Sequence, residues 1–218
     1  MALVDLARFD AAVFDLDGTL VDSEPAWEKA KRIVADRHGR PITQAQMDAS
    51  VGRSMDEMVA AVFAPANRDA ARAIELEIFA EGETWLGDLR QPIPGAADFL
   101  RDLHGRGLRI ALCSSAPEYL IRDALAQLQV LDLVEVIVSA DPLPRRKPDP
   151  YPYQLTAEKL GLPPARLIGF EDALPGAQSA KGAGLFTAAI GPAATGAEFA
   201  FCDLQAADYP DLRRQLGM

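Results

Sequence analysis

Cysteine and histidine are scarce in this chain, with two of each among 218 residues. Cys113 and Cys202 form no CxxC pair and have no histidine cluster beside them, so the sequence predicts neither a zinc site nor a disulfide framework. We expect two reduced thiols, as in cytoplasmic proteins. Long apolar runs are also missing, because no segment reaches the ~18 apolar residues that a membrane helix requires. The first ten residues do not resemble a signal peptide, and we therefore expect a cytoplasmic location.

Positively charged residues are fewer than negatively charged ones. The chain has 22 lysines and arginines against 32 acids, a formal net charge of -10. Such a field repels nucleic acids and anionic membranes, so we expect neither as a partner. A small anionic metabolite stays compatible, because a local metal and a few cations can outweigh the global field. The 49% hydrophobic content is enough for a sizeable core, and no exposed apolar stripe is evident, so we expect a monomer.

Strand and helix patterns alternate through most of the chain. Strand-like apolar runs lie near residues 11–15, 108–113, 134–138, 166–170, 185–190 and 199–202. Helical patterns fall between them, near 95–105, 117–128, 150–160 and 174–182, and a last helix ends the chain. This alternation predicts an α/β fold with a doubly wound, Rossmann-like parallel sheet.

The exception is a helical block between about residues 24 and 89, where apolar residues recur at three-to-four spacing. Thr43 and Ser54 are candidate helix N-caps within it. The block predicts two domains: an α/β core formed by residues 1–21 and 92–218, and a helical cap formed by residues 22–91. Because the insertion leaves the loop after the first strand, we expect it to act as a lid.

The first strand ends in two acids. The run Ala12–Phe14 is followed by Asp15-Leu16-Asp17-Gly18-Thr19, which puts carboxylates at the carboxyl edge of the sheet, where open α/β folds place their ligands. Adjacent carboxylates repel one another and are costly to desolvate, so the pair predicts a bound cation.

More polar residues follow the other predicted strands: Ser114, Lys147, Glu171 and Asp172. Taken singly, Ser114 or the Glu171-Asp172 pair could cap a helix, and Lys147 could be a solvated charge. Taken together at one sheet edge, they suit phosphoryl transfer. A carboxylate can attack phosphorus, a second acid can move the proton, Mg²⁺ prefers hard oxygen ligands, and Lys147 and Ser114 can hold phosphate oxygens.

The segment Asp15-Leu16-Asp17-Gly18-Thr19-Leu20 resembles the first signature of the haloacid dehalogenase superfamily of phosphohydrolases. Ser114, Lys147-Pro148 and Glu171-Asp172 match the order of its other three signatures. The resemblance covers nearly the whole chain, including the cap, and is closest to the branch of β-phosphoglucomutase and the sugar-phosphate phosphatases.

The resemblance implies a role for each matching residue. Asp15 is the nucleophile and Asp17 the general acid and base. Ser114 and Lys147 bind the transferring phosphoryl group. Mg²⁺ is held by the Asp15 side chain, the Asp17 carbonyl and Asp172, while Glu171 either binds the metal or supports the groups that do.

At two cap positions this chain differs from the mutases, which return the phosphoryl group to the substrate and do not release it as phosphate. The mutases carry a histidine five positions after the acid at the start of the cap, where this chain has Trp27, and a late cap lysine that residues 69–88 lack. The resemblance therefore favours an Mg²⁺-dependent phosphatase of small phosphate monoesters, such as sugar or polyol phosphates, acting through an aspartyl-phosphate. The alternatives are a sugar-phosphate mutase and a non-hydrolytic phosphate-binding or signalling module. In the cap, Trp27 is either core or substrate wall, and Arg53 is either a substrate contact or a solvated charge.

Overall fold

The computed structural model describes residues 4–50, 55–140 and 142–218. The chain folds as two units, one formed by the chain up to Val21 together with Pro92–Met218, the other by Asp22–Gln91. In the first unit the strands are β1 (Ala11–Phe14), β4 (Arg109–Ser114), β5 (Val134–Ser139), β6 (Leu167–Glu171), β7 (Phe186–Ile190) and β8 (Leu204–Ala206). Two short strands, β2 (Val21–Asp22) and β3 (Gln91–Pro92), pair separately.

The six-stranded sheet is parallel and runs in the order β5-β4-β1-β6-β7-β8. The chain builds outward from β1 to one edge and then returns to build outward from β6 to the other. The strand order therefore reverses between β1 and β6, and ligands of doubly wound sheets bind beyond the strand ends at that point. The predicted α/β class with a doubly wound parallel sheet is confirmed.

Helices cover both faces of this sheet. They are α5 (Ala96–Gly105), α6 (Glu118–Gln127), α7 (Tyr151–Leu160), α8 (Leu174–Gly182) and α9 (Tyr209–Leu216). Because successive strand residues point to opposite faces, β1 supplies Phe14 to the core under α5, α6 and α9, and Val13 to the core under α7 and α8. Both cores are closed to solvent, which gives the strand ends a rigid base.

The second unit is helical. It contains α1 (Glu24–Arg37), α2 (Gln44–Asp48), α3 (Met55–Phe63) and α4 (Arg68–Leu89). Its core includes Val34 from α1, Val59 from α3 and Ile78 from α4. Thr43 is the N-cap of α2, as predicted, and it also forms a capping box with Gln46; Ser54 lies outside the described residues. No helix in the described ranges combines the length and apolarity needed to cross a membrane.

One strand prediction is wrong. Residues 199–202 do not form the last strand, because Ala197–Phe199 is a 3₁₀ turn that packs Phe199 into a small core with Ala177 and Ala189. The strand begins at Leu204. The carboxylate of the preceding residue, Asp203, accepts a hydrogen bond from the Thr187 amide at 2.9 Å. Of residues 199–202 only Phe199 is buried, and a turn buries it; an apolar run alone cannot distinguish this arrangement from a strand.

Candidate active site

Asp15 is the first residue after β1. Phe14 is in register with Leu112 of β4 and Phe170 of β6, so Asp15 is level with the ends of both neighbouring strands. Its amide donates to the Phe170 carbonyl at 3.0 Å, and its side chain is 11% exposed. The ladder thus continues one residue past the strand and fixes the backbone from which this carboxylate projects.

A tight turn follows Asp15. The Leu16 carbonyl accepts hydrogen bonds from Leu20 at 2.7 Å and Val21 at 3.1 Å, and the Gly18 amide donates to the Val21 carbonyl at 2.7 Å. Gly18 has φ +80°, a conformation that favours glycine. This turn places the Asp17 side chain at the exposed surface and leaves Thr19 buried.

The Lys147 side chain, 7% exposed, joins three strand ends. Its ammonium donates to Asp15 Oδ1 at 2.6 Å, to Glu171 Oε1 at 2.6 Å and to the Cys113 carbonyl at 2.8 Å. Three acceptors match the three protons of an ammonium group. Lys147 is therefore a buried, paired cation; the simpler interpretation of it as a solvated charge is wrong.

Glu171, the last residue of β6, is buried by its neighbours. Besides Lys147, the Tyr153 hydroxyl of α7 donates to Glu171 Oε1. The other oxygen, Oε2, would lie 2.0 Å from a Cβ at position 176, so Gly176 of α8 makes room for this carboxylate. Glu171 is therefore held by α7 and α8 as well as by Lys147.

Asp172 is the third acid of the site. The Thr19 hydroxyl donates to Asp172 Oδ1 at 3.4 Å, and a Cβ at position 18 would lie 2.0 Å from Oδ2. Gly18 is thus required twice, by its positive φ and by the close approach of Asp172. Asp15, Glu171 and Asp172 each offer a carboxylate oxygen within 4.8 Å of the others.

The pKa values reflect this crowding. Burial raises the pKa of Glu171 to about 8 against the opposing effect of Lys147, and burial together with the Asp15 charge raises the pKa of Asp172 to about 7. Burial alone would lower the pKa of Lys147, but the carboxylates of Asp15 and Glu171 raise it well above its usual value. The ammonium therefore stays charged, while its single positive charge does not balance the negative charges of the ionised acids.

The donor set fits Mg²⁺. Three carboxylates, when ionised, exceed the single Lys147 charge by two, and their oxygens are the hard ligands that Mg²⁺ prefers. The Cys113 thiol does not supply a soft ligand, since it lies in the core and burial raises its pKa to about 12. The residues present thus suit a hard divalent cation.

Ser114 ends β4 next to Cys113, whose carbonyl receives the Lys147 ammonium. It is buried, and its hydroxyl oxygen accepts a hydrogen bond from the Ala116 amide at 3.1 Å. Helix α6 begins only at Glu118 with Pro117 at its N-cap, so the interpretation of Ser114 as that helix's cap is wrong. Ala173, not Glu171 or Asp172, is likewise the N-cap of α8.

The two candidate contacts in the helical unit have different outcomes. Trp27, in the first turn of α1, is half-buried; its indole donates to Ser23 Oγ at 3.2 Å and packs edge-to-face on Phe79 of α4. A Cβ at Gly82 would lie 2.2 Å from the Trp27 ring, so the indole rests on the α4 backbone. Arg53 lies outside the described residues.

Two residues that touch the site, Tyr153 and Gly176, have no sequence signal of their own, whereas Thr19 belongs to the first motif. Tyr153 and Gly176 support Glu171 from α7 and α8, and Thr19 holds Asp172 from the turn. From the sequence alone, Tyr153 is indistinguishable from any other aromatic residue of the core, and Gly176 from any other glycine in a helix. Only the contacts across the fold distinguish them.

A family model described as haloacid dehalogenase-like hydrolase matches residues 9–184, which include all four motifs. The chain belongs to this family. The resemblance to this family that the motifs predicted is confirmed, and named relatives and solved structures confirm the branch of β-phosphoglucomutase and the sugar-phosphate phosphatases.

Named relatives extend over most of this hydrolase. It is 31% identical over 180 residues to "Phosphorylated carbohydrates phosphatase" of Thermotoga maritima, which covers 81% of this chain and 82% of the relative. It is 35% identical over 178 residues to "Phosphoglycolate phosphatase" of Cereibacter sphaeroides, covering 79% and 81%.

Solved structures share the fold of this hydrolase. The β-phosphoglucomutase of Clostridium difficile superposes with a TM-score of 0.75 over 96% of this chain and 97% of that chain, at 20% identity. At that identity the likeness is one of fold, and it separates neither a mutase from a phosphatase nor one substrate from another.

Proposed function

We propose that this hydrolase cleaves small phosphate monoesters in an Mg²⁺-dependent reaction through an aspartyl-phosphate on Asp15. It is a phosphoric monoester hydrolase of the haloacid dehalogenase-like family. The observation that carries the mechanism is the Lys147 ammonium, 2.6 Å from both Asp15 and Glu171, beside a third acid at the strand-order reversal.

In the first step a carboxylate oxygen of Asp15 attacks phosphorus and the bond from phosphorus to the ester oxygen breaks. Asp17 gives its proton to the departing alkoxide. In the second step Asp17 takes a proton from water, the water oxygen attacks phosphorus, and the bond to Asp15 breaks. Inorganic phosphate leaves and both carboxyl groups return to their starting state.

Ser114 is proposed to hold a phosphoryl oxygen during transfer, and Lys147 to hold another by exchanging one of its three present acceptors for it. Phosphoryl transfer depends mainly on positioning and charge stabilisation, because negative charge spreads over the equatorial oxygens. A buried ammonium with fixed hydrogen bonds needs little reorganisation to stabilise that charge, and burial makes its interaction stronger than it would be in water.

Asp15, Asp172 and the Asp17 carbonyl are the proposed Mg²⁺ ligands, and Glu171 either adds a carboxylate oxygen or supports the groups that bind the ion. When bound, the ion would neutralise phosphate charge and orient the ester for in-line attack. Thr19 and Tyr153 hold Asp172 and Glu171 from outside this set, which restricts the directions in which the two carboxylates point.

The helical unit, residues 22–91, is proposed to act as the cap and to recognise the organic part of the ester, with Trp27 and Arg53 as candidate contacts. The relatives' names support phosphorylated carbohydrates and small phosphorylated acids as substrates. The chain's net charge of -10 favours such metabolites over nucleic acids or anionic membranes.

A panel of phosphate esters with Mg²⁺, assayed for free phosphate and for isomerised sugar phosphate, tests the proposal. We expect phosphate release, its reversible loss with EDTA, and no turnover by Asp15→Asn. Isomer formation without phosphate would point to the mutase. Full activity of Asp15→Asn on several esters would exclude the aspartyl-phosphate route.

A further inference from the structure

The last helix of the chain reaches the turn after Asp15. The hydroxyl of Tyr209, the first residue of α9, donates to the Thr19 carbonyl at 2.8 Å. The two residues are 190 positions apart. Both are buried, Thr19 completely and Tyr209 to 1% exposure, so this hydrogen bond is shielded from water.

Thr19 links this contact to the acidic group. Its backbone carbonyl faces Tyr209, while its side-chain hydroxyl donates to Asp172 Oδ1 at 3.4 Å. The preceding residue, Gly18, lies against the other Asp172 oxygen. A change at the Thr19 carbonyl is therefore transmitted within one residue to both sides of the Asp172 carboxylate.

Tyr209 is itself rigidly held. Its Cβ would be 3.1 Å from a Cβ at Gly95, and its ring lies 5.3 Å from that of Phe99. Phe99 in turn packs on Phe14 and Phe170, the residues that precede Asp15 and Glu171. The Asp208 side chain caps the helix through the Asp211 amide at 2.7 Å. A phenol fixed by its ring can hold the turn without adding conformational freedom.

We propose that Tyr209 is a positioning residue for the metal-binding carboxylates, acting through Thr19 on Asp172. Its hydroxyl holds the Asp15–Val21 turn in the position from which Thr19 and Gly18 orient Asp172. The inference rests on the proposed function, in which Asp172 is a Mg²⁺ ligand. Groups that orient metal ligands commonly change metal affinity or activity by roughly 10- to 100-fold when removed.

Tyr209→Phe removes only the hydroxyl and keeps the ring. We expect its Mg²⁺ dissociation constant, measured by calorimetry without substrate, to rise about tenfold. We expect kcat at limiting Mg²⁺ to fall in proportion and to recover at saturating Mg²⁺. Thr19→Val should weaken binding similarly, and the double variant should lose less affinity than the sum of the two single losses, because the two changes share part of one connected path.

Leu216→Ala is the matched control, since Leu216 is a buried residue at the far end of α9. It should lower Tm at least as much as Tyr209→Phe while leaving Mg²⁺ affinity at the wild-type value. Unchanged Mg²⁺ affinity in Tyr209→Phe, or an equal loss in Leu216→Ala, would overturn the inference. An inactive wild type that binds Mg²⁺ would instead contradict the proposed function, and the calorimetric comparison would still decide the role of Tyr209.

Discussion

Lys147 and Asp15 form a buried ion pair across 132 residues, with 2.6 Å between the ammonium nitrogen and Oδ1. The same nitrogen lies 2.6 Å from Glu171 Oε1. One cation therefore holds acids from the ends of the two strands between which the strand order reverses. When ionised, the acids carry more negative charge than the ammonium balances, and a divalent cation can neutralise the excess. The ammonium stays beside the proposed attacking oxygen.

Replacement of Lys147 by methionine should reduce the rate of phosphate release at least 100-fold, because a preorganised charge on the phosphoryl group is lost. It should also lower the free energy of unfolding by roughly 3 kcal/mol, since two buried carboxylates lose their partner. Steady-state kinetics and urea unfolding measure these effects. Lys159→Met, on an exposed position of α7, is the control and should match the wild type; a normal kcat in Lys147→Met would contradict the assigned role.

Gly176→Ala should be harmful although alanine is the better helix former. Alanine in a helix gains about 1 kcal/mol over glycine, but a Cβ at position 176 would lie 2.0 Å from Glu171 Oε2. We expect a lower free energy of unfolding and a fall in kcat. The control is Gly87→Ala in α4, where a Cβ meets nothing within 4 Å, and it should stabilise the chain by about 0.5–1 kcal/mol. Equal stabilisation of both variants would show that Glu171 moves aside freely.

Gly18→Ala separates backbone strain from the displacement of Asp172. Gly18 and Gly39 both have positive φ, at +80° and +65°, so alanine at either costs about 1–2 kcal/mol. Only at position 18 would the Cβ meet Asp172, 2.0 Å from Oδ2. Gly18→Ala should lose more stability in denaturant than Gly39→Ala, because its Cβ also displaces Asp172, and it alone should lose Mg²⁺ affinity by calorimetry. Wild-type affinity in Gly18→Ala would contradict the close packing of the turn on Asp172.

Mg²⁺ binding should strengthen as pH rises from 6 to 8. Burial raises the pKa of Asp172 to about 7 and that of Glu171 to about 8, so the metal-free protein holds protons that Mg²⁺ must displace. Because the folded protein binds more protons than the unfolded chain, these acids destabilise the metal-free fold as pH rises from about 4 to 8. The stabilisation by Mg²⁺ should therefore grow over the upper part of that range.

Calorimetry in two buffers of different ionisation enthalpy measures the protons released on binding, and thermal unfolding with and without Mg²⁺ measures the stabilisation. Asp10→Asn is the control, since Asp10 pairs with Arg166 just before β1, at the other end of that strand. Its pH dependence of Mg²⁺ binding should match the wild type. Binding that is independent of pH between 6 and 8 would show that the acids are already ionised.

The elements of the α/β core follow closely from local patterns, and the departures have physical causes. The predicted strand at 199–202 is a turn because Phe199 finds its apolar neighbours without pairing. In α4 the helical spacing alone does not say which apolar residues are covered: Leu76 is 52% exposed, while Ile74 and Ile78 are buried. Half of the residues of this long helix are apolar, and only its neighbours decide which of them are covered.

The sequence by itself determined which residues end the strands, and therefore that Asp15, Ser114, Lys147, Glu171 and Asp172 belong to one edge of a parallel sheet. Strand periodicity and short motifs involve residues that are close in sequence, so they can be recognised without the structure. Tertiary structure alone decided the support: Tyr153 and Gly176 for Glu171, and Thr19, Gly18 and Tyr209 for Asp172. These contacts depend on side-chain packing between elements up to 190 residues apart, and no local pattern encodes such a distance.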